Sequence, residues 1–562
     1  MLFILTTAVL LITLSLTRAI APLPPTEAQM ASGITDVGGY GGMTLDRLST
    51  AFRERTIFYI TPDTTTRGGQ WLASWNTLHW TTWLLVALLG LVRLFLRINL
   101  PTLAVARLTL NDAIRQRLGL WPVIVLVVLL SLFPLTLTRD QPLRYQVQTY
   151  LQYSFLLAGG LLSVLTILLA SRSVSSDLTE GHVANVFTKP LGRLNFLAGK
   201  FVGMTLLNVV LVTVSAFSIY VTTIAICRGT TQSESDAIDL RDQVLSAREK
   251  SLPAPERPFS EAAENRLNLL IANGTIEIPA NDLGELVRKN QLEALIETER
   301  TKWKSVGPQE AKTYVFSGLA EAKRLGVDLQ FRLKGQTPSD PPDKLYPIMV
   351  VINNRAEPML LRVGSHQILP ITSEVVDDKG ELRLTMVNRN PFSPNEPQDR
   401  MSLSFTDENA MQILFPVTTI ESNFWRAVVV LGSRIFFITM LACVCGALLS
   451  FPVAAQLAIT VWLIAAGSGY ISDAMDYIPT EGPALSAPAI YGSIVTPIIK
   501  SFTSLLSYYG TPDAAALLAD GQLVSMRSVY THMGIVGALW SILLLLLGWG
   551  LFSRRELARV TV

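Results

Sequence analysis

The feature that most constrains this chain is a series of long apolar runs carrying almost no charge. They occupy residues 1–17, 78–96, 121–137, 151–170, 201–226, 425–450, 452–471 and 534–552. Each approaches or exceeds the roughly 17–20 residues that carry a helix across a hydrocarbon core. Backbone polar groups find no water there, so each run must satisfy its own hydrogen bonds as a helix. Only 16% of the 562 residues are charged and 49% are hydrophobic, whereas soluble domains carry about 25% charge. The expectation is a polytopic α-helical membrane protein of eight spans.

The charge is placed unevenly. Residues 228–424 hold 23 Lys and Arg against 29 Asp and Glu, although the whole chain has 46 against 44. That acidic block is expected to fold as a soluble domain inserted between spans, leaving the remainder basic. Lys and Arg beside spans stay on the cytoplasmic side. Placing every basic loop inside puts both termini in the cytoplasm and the inserted domain on the far side. The implied location is the cytoplasmic (inner) membrane of a bacterium.

Four regions follow. Residues 1–100 hold two spans joined by an outside loop. The first, 1–17, lacks the leading positive charge of a secretory signal and is expected to remain as an uncleaved span; Asp36–Met43 (DVGGYGGM) reads as a turning loop. The second ends at Arg93 and Arg97 after a cluster of Trp. Residues 101–227 hold an interfacial helix, three spans and a cytoplasmic loop. In that helix, 103–118, Leu103, Ala106, Leu110, Ile114 and Leu118 share one face, with Asp112, Arg115 and Gln116 opposite and Arg107 and Arg117 at the edges.

The inserted domain, 228–424, reads as α+β. Its first half is helical, above all at 280–305, with Asn281 or Asp282 as cap. Its second half alternates in short runs at 329–333, 346–352, 359–363, 381–387, 402–405 and 411–415, punctuated by turn residues. Six such runs suggest a small β-sandwich. Residues 425–562 hold the last spans. Arg434 lies inside the first of them, a costly position resolved by snorkelling or by facing a polar route; snorkelling is the expectation here. The Pro-broken stretch 473–530 reads as an outside region with re-entrant helices or a hairpin, and the basic tail after 552 belongs inside.

Between two spans, residues 172–200 read RSVSSDLTEGHVANVFTKPLGRLNFLAGK, with four cations against Asp177 and Glu180. Two short helices are expected, 178–187 and 194 onward, broken apart by Pro190 and Gly192. An acidic residue, a K-P-L-x-R turn, and an aromatic with G-K entering a span resemble the export-type permeases of ABC transporters. The likeness is greatest to the branch associated with multi-copper enzyme maturation and gliding motility. ARLTLNDAIRQRLG resembles that family's elbow helix, with Arg107, Arg115 and Arg117, and the R-R-E-L end (Arg554–Leu557) fits it too. The resemblance implies that the 172–200 loop sits on a separate soluble ATPase. The coupling residues it implies are Asp177, Glu180, Lys189, Pro190, Arg193, Gly199 and Lys200. It also implies a second permease copy or a related chain, and ATP with Mg acting only through the partner. The extra N-terminal spans and the inserted domain depart from the family pattern.

The chain carries no ATPase motif of its own. The nearest run to a phosphate loop, Gly192–Lys200, has six residues between its glycines and Phe201 where a hydroxyl is needed. Cys227, Cys443 and Cys445 and the four histidines form no metal-ligand spacing, so no resident metal or cofactor is expected, and no nucleic-acid partner. The competing reading is a membrane scaffold whose outer sandwich binds a protein or envelope partner without transport. An intramembrane protease would need a buried nucleophile and base, and no H-E-x-x-H or Ser–His pairing stands out in the spans.

Overall fold

A computed structural model describes residues 67–554 except 99, 116, 138–140, 181–191, 228–235, 237–239, 242, 256, 277–282, 338–344, 354, 390–401, 406–408, 477–494 and 511–512. The expected first span, the 36–43 loop, the caps at 281 and 282, Lys189, Pro190 and the tail beyond 554 lie outside the described residues. The chain divides into two compact units, Ser246–Thr419 and the remainder.

The first half of the membrane unit runs through α1 (Arg67–Phe95), α2 (Pro101–Arg115), α3 (Arg117–Leu132), α4 (Leu143–Thr179) and α5 (Arg193–Cys227). Helix α2 covers most of the amphipathic helix expected at 103–118. Ala106 and Leu110 of the predicted apolar face are buried, while Arg107 and Arg115 are exposed. Leu108 is exposed as its place on the polar side requires. Asp236 accepts from the Leu143 amide at 2.9 Å and so supplies the cap of α4 from 93 residues away.

The second unit contains strands β1 (Ser246–Ser251) and β2 (Pro253–Ala254), helices α6 (Phe259–Ala272) and α7 (Leu283–Trp303), strands β3 (Ser305–Val306) and β4 (Ala311–Phe316), and helix α8 (Ala320–Leu325). After these come β5 (Leu329–Leu333), β6 (Leu345–Ile352), β7 (Arg355–Arg362), β8 (Gln367–Ile371), β9 (Leu382–Asn388), β10 (Leu403–Ser404) and β11 (Met411–Thr419). Two antiparallel sheets, ordered β1-β11-β5-β8 and β2-β4-β9-β6-β7, share one hydrophobic core. Phe316 of one sheet meets Phe331 of the other edge-to-face at 6.0 Å. All six predicted strands are present. Residues 246–254, 311–316 and 367–371 add strands that alternation did not expose. In SAREKS a buried Arg248, 2% exposed and bonded to Gln330 at 2.8 Å, breaks the apolar-in pattern.

The chain returns through α9 (Ile420–Leu448), α10 (Phe451–Ala466), α11 (Ser468–Asp476), α12 (Thr496–Gly510), α13 (Ala514–Ala519), α14 (Met526–Thr531), a π-helical segment His532–Leu539 and α15 (Trp540–Ser553). Among the described residues, five helices are long and apolar enough to cross a membrane: Ala73–Phe95, Leu143–Thr179, Arg193–Cys227, Ile420–Leu448 and Met526–Ser553. This is a helical membrane protein with a separate β-rich unit. The predicted spans at 121–137 and 452–471 correspond to the shorter apolar helices Pro122–Thr136, whose end tightens into a 3-10 turn at Pro134, and Phe451–Ala466, which Gly467 caps. Helices α4, α5 and α9 form the centre. Well over half of each apolar window is buried, against 11% for α1, whose Leu91, Leu94, Trp71 and Trp80 are exposed.

Candidate functional site

The stretch expected to be a loop from 172 to 200 is largely helix. Helix α4 continues to Thr179 and α5 begins at Arg193, so the described break between them narrows to Glu180 and Gly192 around residues 181–191. Ser171, Ser173, Val174 and Ser175 are buried, so the serines that read as loop residues lie inside a helix–helix contact. Of the first short helix expected at 178–187, Leu178 and Thr179 belong to the end of α4 and most of the rest lies outside the described residues. The second, from 194 onward, is the start of α5.

The flanks of this break are clamped. Lys200, 1% exposed, ion-pairs with Asp177 at 2.6 Å and donates to the Ser173 carbonyl at 2.9 Å and its hydroxyl at 3.1 Å. The Phe196 ring lies 5.8 Å from the same ammonium. A buried ammonium is tolerated because it is fully met by a charge and by oxygen acceptors. Asp177 and Lys200, expected as coupling-loop residues, tie the end of α4 to the start of α5. Lys200 is not available at the surface.

Gly199 is likewise internal. A Cβ there would stand 2.6 Å from the Cβ of Val105 and 2.8 Å from the Thr102 carbonyl, and at Gly203 it would stand 2.7 Å from the Ala106 carbonyl. The G-x-x-x-G spacing lets α2 lie directly on the backbone of α5, as small residues do between membrane helices. The elbow-like helix is therefore coupled to α5 about two turns beyond the break. Arg193 turns away from the break: it donates to the Phe552 carbonyl at 2.9 Å and to that of Ser553. It thereby caps the carbonyl end of α15, where a cation is favoured. Glu180 is exposed at the end of α4. The side chain of Arg117 lies outside the described residues.

A second polar feature lies halfway along the helices. A cavity of about 610 Å³ is bounded by α4, α9, α10, α11 and α12 with Asp513 and the start of α13. Arg434 lines it, donating to the Gly510 carbonyl at 3.1 Å with its guanidinium 5.5 Å from the Tyr509 ring. Snorkelling was the expectation; the helix α12, ending beside α9, brings the partners to the arginine instead. Residue 434 is the fifteenth of α9, about 20 Å from its start. Asp513 accepts from the amides of Ala515 and Ala516 at 3.1 and 3.3 Å as the cap of α13. Ser163, Tyr470 and Trp462 add polar atoms to a wall that is otherwise apolar.

Sequence reasoning did not single out two further groups, and it read His532 only as a lone histidine beside the last span. Thr166, Asn208 and Thr439 form a buried chain across α4, α5 and α9, with hydrogen bonds of 3.0 and 2.9 Å. A lone Asn within the run 201–226 was its available signal. Asn423 holds residues 522–524 like a strand partner, donating to the Gln522 carbonyl and accepting from the Val524 amide, both at 2.8 Å. His532, 2% exposed, opens the π-helical segment. Such segments are rare and concentrate at functional places, yet nothing in HMGIVGAL marks one.

Comparison with protein-family models, with curated proteins and with solved structures gave no match.

Proposed function

We propose that this chain is the permease subunit of an ABC transporter, driven by a separate soluble ATPase that docks on the residues between α4 and α5. The observation that carries this reading is the clamping of both flanks of that break. Asp177–Lys200 joins α4 to α5, the glycine seam joins α5 to α2, and Arg193 joins α5 to the end of α15. A load applied at residues 180–192 would pass to four helices at once, as a rigid-body switch requires. Glu180, Lys189 and Pro190 are the residues assigned to the contact. Gly199, Lys200, Asp177 and Arg193 transmit rather than touch.

In this reading the Ser246–Thr419 unit is an extracytoplasmic α+β domain, its two sheets forming a sandwich. The chain sits in the inner membrane of a bacterium with both termini in the cytoplasm. It works with a second copy or a related permease chain, and the outcome is export or mechanical work.

The test is purification of the intact protein from native membranes in mild detergent, with partners identified and ATP hydrolysis assayed. Recovery of a soluble ATPase whose hydrolysis depends on this chain is the expected result. Envelope proteins alone, with no nucleotide hydrolysis, would favour the competing scaffold, for which the sheet-rich unit is the supporting observation.

A further inference from the structure

The cavity at Arg434 has a charge pattern that selects its occupant. Among its described lining residues Arg434 is the one cation and Asp513 the one anion. A purely anionic ligand would meet Asp513 as a repulsive neighbour, and a purely cationic one would meet Arg434. A ligand carrying both signs on a short polar head matches both. The volume, about 610 Å³, falls in the range of about 300–1,000 Å³ usual for a site that holds one small-molecule ligand.

The rest of the wall is mostly apolar, and one side is open. Leu156 and Tyr470 on the rim are 66% and 84% exposed, Leu156 on the long apolar helix α4. Phe155, Val430 and Ile435 continue the apolar lining inward. A head drawn to Arg434 would therefore leave its hydrocarbon tails running out between α4 and α11 into lipid. Arginine suits the phosphate end, because its planar fork matches phosphate oxygens and it stays charged away from water.

We infer that this cavity binds one zwitterionic glycerophospholipid, its phosphate on Arg434 and its ammonium group facing Asp513. The binding stands on the cavity alone; that the lipid is the transported substrate rests on the permease reading above.

The test is native mass spectrometry of the full-length protein in detergent, titrated with phosphatidylethanolamine, phosphatidylglycerol and diacylglycerol. Water-soluble glycerophosphoethanolamine serves as competitor. The expected result is one retained phosphatidylethanolamine, bound at least tenfold more tightly than diacylglycerol. Arg434→Gln should lower that affinity about tenfold, and Asp513→Asn should erase the preference over phosphatidylglycerol. Because Arg434 also holds Gly510, a second variant is needed that leaves this bond intact. Gly160 lines the cavity and a Cβ there meets nothing within 4 Å. Gly160→Leu should therefore fill the space and block the lipid with thermal stability unchanged.

Equal retention in wild type, Arg434→Gln and Gly160→Leu would place the lipid on the outer surface and overturn the inference. Equal affinity for phosphatidylglycerol in the wild type would overturn the zwitterionic assignment. Full displacement by glycerophosphoethanolamine at matching affinity would replace the lipid with a water-soluble ligand. Loss of ATPase recruitment upon charge reversal at residues 180 and 189, with lipid binding intact, keeps the two readings separable.

Discussion

At the scale of residues, the decisive pair is Asp177 and Lys200. Lys200 is buried, whereas Asp177 keeps 16% of its side-chain surface exposed. Removing one partner of a buried pair costs about 3–5 kcal/mol, because the other is left uncompensated. The two single variants should therefore differ. Asp177→Asn strands a buried ammonium and should lower the unfolding temperature more than Lys200→Met, which leaves a carboxylate that water can reach. The double variant should recover most of the loss. Thermal unfolding in detergent reads all three, and equal single effects with no recovery would contradict the pairing. Sequence exposed both residues but not their relation: in a basic turn beside a span, charges read as topology or docking. Only the extra turns of α4 bring position 177 to position 200.

A second residue-scale prediction concerns Tyr314 on β4. Its side chain is fully buried, its hydroxyl donates to the Trp303 carbonyl at 3.2 Å, and Trp303 packs on its ring. Burial, with Glu310 nearby, raises its pKa above the ordinary value of 10.0. The unfolded phenol then ionises before the folded one. The stability this group contributes is complete below about pH 10 and declines as pH rises beyond it. Tyr314→Phe should flatten that alkaline decline, as followed by thermal unfolding between pH 8 and 11. An unchanged slope would remove Tyr314 as its source.

At the scale of elements, the seam between α2 and α5 depends on Gly199 and Gly203. A side chain at Gly203 would press on the Ala106 carbonyl at 2.7 Å from its Cβ, so backbone must move. Gly203→Leu should cost about 1–3 kcal/mol by overpacking and lift α2 away. A disulfide between cysteines placed on the two helices reports the separation as slower cross-linking; an unaltered rate would mean the contact is not tight. Arg193→Gln leaves the carbonyl end of α15 without its cation and should cost about 1 kcal/mol, measured as a fall in unfolding temperature.

The elements themselves were read unevenly, for physical reasons. Strands with apolar alternation, such as LRLTMVN, were legible. β8 (QILPI) was not, because its proline and short length hide the period. Helix α2 was legible from its wheel. The seam was not, since G-x-x-x-G in a basic-flanked run carries no sign of which partner lies against it. Arg434 was visible as an anomaly, while its partners, Gly510 and Tyr509, belong to a Pro-broken stretch whose path only tertiary packing decides.

At the scale of the whole molecule, composition and charge asymmetry placed a soluble block at 228–424. The division near 228 and 424 lies close to the Ser246–Thr419 unit, because a soluble domain needs the charge that spans exclude. At 121–137 and 452–471 the apolar runs form shorter helices, Pro122–Thr136 and Phe451–Ala466, because apolar length alone does not register the 3-10 turn at Pro134 or the cap at Gly467. The described membrane unit is a central trio, α4, α5 and α9, clamped to α2 and α15 around the 180–192 break. In the proposed permease that break is where ATP-driven force enters.

The most direct test of that claim is ATPase recruitment by a charge-reversed protein. Glu180→Lys combined with Lys189→Glu reverses the charge of two residues assigned to the contact. Purified beside wild type from native membranes, the folded variant should lose the co-purifying ATPase and its stimulated hydrolysis. A variant that recruits and stimulates an ATPase as the wild type does, or a wild type that recruits none, would contradict the account.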